Sequence, residues 1–453
     1  MTVRRRMHLA VRCPGVGDTT VRTGPRSGAP IDFASFERLA RTAERGLFDF
    51  LLLAGGPRSR EHRGSVRDPD ALGRPEAITV LNALAAVTER LGLAATVDAI
   101  SNEPYELARR LATLDHLSEG RAAWNVETSP DTPTTENFRR RPDPANRYPR
   151  AAEFVEVTRE LWDSWTPDGA SRPFAHRGLH FDIAGEFTVP RPPQGHPVVI
   201  HAGDSSEGRE FAARAADVVL ADWGAGDCPS GGHGSRESAL EAGRAFYADV
   251  KGRLAAYGRS PEELRIMPVV TFVLGDTDAE ARERAVEIRR QRKAPQDAPR
   301  SAVGARERVR GVGLSSYDPG EPLPGIDIGI GIDPDPAPTR GRTRTADVLT
   351  VAEKRRALAR EEGLSGGRRT VIEAHGPRWF VGTPEAVAAE FDALVRADAA
   401  DGFVLVPPAT PGGLDTFVDR VVPLLQERGA FRTEYTGTTM RSHLGLAEPV
   451  WKG

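Results

Sequence analysis

The chain has 453 residues, 61 Lys or Arg against 64 Asp or Glu, a net charge of −3 and 39% hydrophobic residues. That length allows one large domain or up to three small ones, with a sizeable core, and the near-balanced charge gives no basis for a nucleic-acid or anionic-lipid partner. Cys13 and Cys228 form neither a disulfide framework nor a metal site by spacing, the apolar run at residues 7–11 is too short for a signal-peptide core, and no run approaches the ~18 apolar residues of a membrane span. The expectation is a cytoplasmic protein with reduced thiols and no membrane contact.

Taken in order, residues 7–13 read as a strand, 33–45 as a helix ending at Gly46, 48–54 as a strand and 76–91 as a helix. Strand 91–98, helix 105–117 and strand 121–128 follow, then a polar, proline-rich stretch at 129–147. Helix 150–165, strand 198–203, helix 205–215, strand 217–223 and helix 236–256 come next, then strand 265–275 and helix 278–292. An irregular stretch at 294–345 precedes helix 384–397, strand 402–409 and helix 414–428. The strand runs are continuously apolar rather than alternating, as in parallel strands buried on both faces. Eight such strands alternating with helices predict an α/β fold, a closed (β/α)8 TIM barrel with long insertions after strands 4 and 7. Residues 1–453 form one domain without internal repeat, and 294–345 reads as a lid-like insertion, because long loops after barrel strands lie on the catalytic face.

Several constellations have ordinary readings. Ser205 and Ser206 before helix 205–215, after the turn His201-Ala202-Gly203-Asp204, read first as an N-cap and second as a phosphate cradle at a helix N-terminus. His176 and His180 are four apart, but Gly178 between them and a strand-like context disfavour a helical zinc pair. Asp217 and Asp401 precede strands and lie at the wrong end of a barrel for chemistry. Arg139, Arg140 and Arg141 read as a solvated run, and the glycines at 231, 232 and 234 match no dinucleotide fingerprint, so the chain shows no nicotinamide site of its own.

The run Gly120-Arg121-Ala122-Ala123-Trp124-Asn125-Val126-Glu127-Thr128-Ser129 brings these observations together. With residues 7–10, 39–53, 106–119, 146–165, 189–217, 382–385, 400–411 and 429–446, it resembles the bacterial-luciferase superfamily, in its nitrilotriacetate and dibenzothiophene-sulfone monooxygenase branch. The resemblance implies a (β/α)8 barrel that takes reduced FMN from a separate NAD(P)H:flavin reductase. With O2 it would oxygenate a small organic substrate through a flavin C4a-(hydro)peroxide, and a homo-oligomer is expected. It assigns Thr96, Asn125, Tyr148, Ser205 and the amide of Ser206 to the flavin, and no metal. Five positions depart from the pattern: Gly55 stands for an aspartate, Pro144 for a histidine, Pro149 for an aspartate, Val21 for a tryptophan and His201 for a glutamine. Losing the first two contacts costs about 1–3 kcal/mol each, so FMN binding is expected to be weakened or altered. A flavin-free barrel that is a non-redox enzyme or non-catalytic partner, and a deazaflavin-dependent oxidoreductase, are the competing readings. His201 at a strand end reads as an acid or base near neutral pH, or as a hydrogen-bonding substitute for glutamine.

Overall fold

The apolar runs form parallel strands in a computed structural model that describes residues 6–13, 21–22, 32–53, 61–62, 65–66, 75–128, 146–221, 236–291, 378–410 and 412–452. They are β1 (His8–Arg12), β2 (Phe50–Leu53), β3 (Gly92–Asp98), β4 (Ala122–Glu127), β5 (Val198–Ala202), β6 (Val218–Leu220), β7 (Arg265–Ile266), β8 (Val269–Leu274), β9 (Arg378–Gly382) and β10 (Gly402–Val406). Hydrogen bonds give the order β7-β6-β5-β4-β3-β2-β1-β10-β8-β9. Arg265 and Ile266 pair with Val218 and Val219, and a few residues later Val269–Thr271 pair with Val404–Val406. One stretch of chain thus touches both flanks, and the large parallel sheet curls.

Side chains alternate across the strands, so the curled sheet has two apolar faces. Ala10, Phe50, Ala94, Ala123, Ile200 and Val404 cluster on the inner face with Met440 and Leu444 from the C-terminal segment. The outer face packs against helices: Trp124 lies 5.4 Å from the Phe154 ring and donates Nε1–H to the Val97 carbonyl at 2.9 Å. Both faces are dry, which is why the strands read as unbroken apolar runs.

The helices are α1 (Phe33–Arg45), α2 (Ala77–Ala85), α3 (Pro104–Leu117), α4 (Arg147–Asp163), α5 (Ser206–Ala215), α6 (Arg236–Arg253), α7 (Asp278–Gln291), α8 (Pro384–Arg396), α9 (Gly413–Arg420), α10 (Val422–Glu427) and α11 (Met440–His443). Asp32 caps α1 by accepting from the Ala34 amide, and Thr383 caps α8 by accepting from Ala386 at 3.3 Å with Pro384 next in line. Several boundaries differ from the sequence reading: helix 76–91 ends at Ala85 and strand 402–409 at Val406, and three further differences trace to prolines. Strand 265–275 is interrupted before Val269, where Pro268 has no N–H to give a ladder. Helix 414–428 divides at Val421, two residues before Pro423. Helix α4 begins at Arg147, three residues early, because Pro149 fits a first turn whose amides lack intrahelical acceptors. β9 was not expected, since its burial alternates; among the described residues it pairs with β8 alone. The stretches 129–145 and 292–377, which hold most of the first irregular segment and all of the lid-like one, lie outside the described residues.

At the N-terminal ends of the strands, buried carboxylates cap strand amides. Asp49 accepts from Leu9 N at 2.8 Å, Asp115 from Ala122 N at 3.0 Å, Asp217 from Val199 N at 2.8 Å and Asp401 from Ile266 N at 2.7 Å. The C-terminal segment locks this end: Arg432 pairs with Asp49, Arg441 donates to Asp217 at 3.0 Å, and Arg265 holds the Leu444 carbonyl at 2.8 Å. Among the described residues no helix is long and apolar enough to cross a membrane.

Candidate active site at the C-terminal ends of the strands

Thr96 and Asn125 are direct register partners on β3 and β4. Each lies two residues past an inner-face alanine, Ala94 and Ala123, so both side chains face the inside of the curl. Asn125 Nδ2 donates to Thr96 Oγ1 at 3.0 Å. Asn125 is 7% exposed, and its Oδ1 is buried without a hydrogen-bond partner among the described residues. A buried amide oxygen without a donor loses about 1–3 kcal/mol, so this pair presents unmet hydrogen-bonding capacity to whatever fills the mouth of the curl.

A second group forms where β5 turns into α5. Ser205 caps α5 by accepting from Gly208 N at 3.1 Å, and Ser206 is the first helical residue. From the first turn of α4, Tyr148 reaches across so that its hydroxyl lies 3.4 Å from Ser205 Oγ. Glycines make that approach feasible: a Cβ at Gly208 would meet the Tyr148 hydroxyl at 2.9 Å, and one at Gly203 would meet His201 Nε2 at 2.6 Å. The Arg147 guanidinium stands 4.8 Å from the Tyr148 ring centroid. Two hydroxyls, an arginine and the positive end of a helix dipole suit an anion, a phosphomonoester above all.

The expected residues therefore fall into two sets, Thr96 with Asn125 inside and Tyr148 with Ser205 and Ser206 at the helix. His201 requires a correction. Its neighbour Ile200 is on the inner face, so His201 points outward, between Phe211 at 4.7 Å and Tyr148 at 6.0 Å. It is fully buried, its Nδ1 lies 3.2 Å from the Val126 carbonyl, and burial, with the charge of Arg147, pushes its pKa down to about 4. An imidazole so placed is neutral at pH 7 and away from the inner face, which removes the acid–base reading there.

The other constellations are structural. His176 lies 2.9 Å from Glu160, while Glu153 accepts from the amides of His180 and Phe181; among the described residues no group could hold a metal ion. Asp217 and Asp401 serve the strand ends described above, and Lys251 stands 3.2 Å from Asp401. Val21 pairs with Ala409. Gly55, Pro144, Arg139, Arg140, Arg141, Cys228 and the glycines at 231, 232 and 234 lie outside the described residues. Sequence reasoning missed Arg147 and Gly208; the spacing Gly203-Asp204-Ser205-Ser206-Glu207-Gly208 was the available signal for the glycine.

Comparison with known proteins gives the same outline. The family model for luciferase-like monooxygenases matches residues 7–401. The chain is 37% identical over 445 residues to N-acetyl-S-(2-succino)cysteine monooxygenase of Bacillus subtilis (strain 168), covering 94% of this chain and 92% of that protein. It is 37% identical over 449 residues to nitrilotriacetate monooxygenase component A of Aminobacter aminovorans, covering 92% and 91%. Among solved structures, EDTA monooxygenase from Chelativorans sp. BNC1 superposes with a TM-score of 0.75 at 28% identity, covering 98% of this chain and 99% of that one. The chain belongs to the luciferase-like monooxygenase family.

Proposed function

We propose that this enzyme is a two-component FMN monooxygenase. Reduced FMN, delivered by a separate flavin reductase, and O2 meet a small organic substrate at the C-terminal ends of the strands of a closed (β/α)8 barrel. The observation that carries the reading is the pairing of an inner neutral hydrogen-bonding pair, Thr96 and Asn125, with the Tyr148–Ser205 cradle on α5. The residues present fit the group: the orphaned Asn125 Oδ1 suits a polar ring, and the glycine-lined helix N-terminus suits a phosphate. Bound there, reduced flavin supplies the electrons that activate O2. The chain's own residues do the rest: Ser205, Ser206 and Tyr148 hold the phosphate end, Thr96 and Asn125 orient the ring, and the apolar inner face excludes water. The absence of a dinucleotide fingerprint from the sequence agrees with reduction on a separate protein. Gly55 and Pro144 stand where relatives are expected to carry an aspartate and a histidine, so binding weaker than theirs is part of the proposal.

Anaerobic titration of reduced FMN into the folded protein tests this. Saturable binding in roughly the micromolar range is expected, together with incorporation of isotopically labelled O2 into product when a reductase is added. No binding of either redox form sinks the proposal. Thr96→Val, which keeps shape but removes the hydroxyl that Asn125 engages, is expected to weaken FMN and riboflavin alike by about tenfold, one hydrogen bond's worth. A loss confined to FMN would place Thr96 at the phosphate end instead.

A further inference from the structure

His201 has a feature the proposed reaction leaves unused. Its Nε2 is buried, has no hydrogen-bond partner among the described residues, and is aimed at the turn before α5, since a side chain on Gly203 would collide with it at 2.6 Å. The Nδ1 contact with the Val126 carbonyl requires Nδ1 to be the donor, because a carbonyl oxygen only accepts. In the neutral ring Nε2 is then a bare acceptor, and it becomes a donor only by taking up a proton. A glutamine at this position, as the family pattern has it, carries its own N–H and needs none.

We propose that His201 is a proton-linked anion-binding residue: when a phosphomonoester seats on the N-terminus of α5, Nε2 takes up one proton from solvent and donates it as a hydrogen bond toward that anion. No other bond forms or breaks. The inference rests on the FMN reading for the identity of the ligand. The surroundings supply few competing charges. Helix α4 contributes the Arg147 guanidinium and the Tyr148 phenol, α5 the Phe211 ring and the Ser205 hydroxyl, β4 the Val126 carbonyl and β6 the apolar Val219. Asp204 and Glu207 flank the turn but are exposed, and Glu127 lies one residue beyond Val126 on the opposite face of β4. Without ligand, burial and Arg147 keep the ring neutral, its pKa pushed down to about 4. An anion within a few ångströms favours the charged form and raises that value, so ligand and proton bind together.

The test is calorimetric titration of oxidised FMN, and separately of riboflavin, in buffers of different ionisation heat between about pH 6 and 7.5, the range in which the phosphate itself titrates. Native protein is expected to take up roughly half to one proton more per FMN than His201→Gln, a difference that cancels the phosphate's own ionisation. Riboflavin, which has no phosphate, should bind with no proton uptake to either protein, and unchanged riboflavin affinity shows that the variant is folded. In the native protein alone, the comparison is made at about pH 7.5, where the free phosphate is already almost wholly dianionic and contributes little; FMN should still take up more protons than riboflavin there, so the test stands even if the variant fails to fold. Equal proton uptake by native protein and variant overturns the inference while leaving FMN binding in place. Failure of both flavins to bind overturns the FMN reading and this inference with it.

Discussion

Ser205→Asp is expected to weaken oxidised FMN by two to three orders of magnitude while leaving riboflavin within about twofold, as read by quenching of flavin fluorescence. Ser205 does two things: its hydroxyl caps α5 through Gly208 N, and it stands beside the Tyr148 hydroxyl at the proposed phosphate position. Aspartate is as good an N-cap as serine, and its charge suits a helix N-terminus, so the helix keeps its stability. The same charge faces a phosphate. Two like charges about 4 Å apart at an effective dielectric near 20 repel by about 4 kcal/mol, close to three decades in affinity. Riboflavin lacks the phosphate and is spared. A loss below tenfold for FMN, or an equal loss for both flavins, would mean that the phosphate does not sit on α5.

Arg432→Met is expected to destabilise the fold by about 3–5 kcal/mol in equilibrium urea unfolding, because it strands the Asp49 carboxylate. Asp49 is fully buried. Burial alone would raise its pKa, but the charge of Arg432 and the contact with His8, 3.1 Å away, bring it down to about 2. The sign follows from that depression. In the native protein the contribution, on the order of 2 kcal/mol, is present above the unfolded value near 3.8 and is lost as pH falls from about 4 toward 2. In Arg432→Met, burial acts with its main counterweight gone, the carboxyl pKa rises, and mild acid should stabilise the variant instead. A variant as stable as the native protein at pH 7 would show that the C-terminal segment does not hold the base of the sheet.

What the sequence revealed, and what it hid, follows from the same packing. The strands were legible because both faces of the curled sheet are dry. That very continuity hid parity: with Val198 to Ala202 apolar around one histidine, nothing in the run says that Ile200 faces in and His201 faces out. Thr96 and Asn125 were legible only through the family resemblance, and the structure places them side by side on adjacent strands. Helix α4 starts three residues ahead of the sequence reading, with Pro149 inside a first turn that tolerates it. The interlocking of Asp49, Arg432, Asp217 and Arg441 could not be read at all, since those partners are separated by more than two hundred residues in the chain.

Where the flavin lies is decided by a crystal structure of the protein with FMN. The phosphate is predicted at the N-terminus of α5, within hydrogen-bond distance of Ser205 Oγ and the Tyr148 hydroxyl, with the ring beside Thr96 and Asn125 inside the curl. A phosphate bound at any other strand end, or a ring out of reach of Asn125, would contradict it.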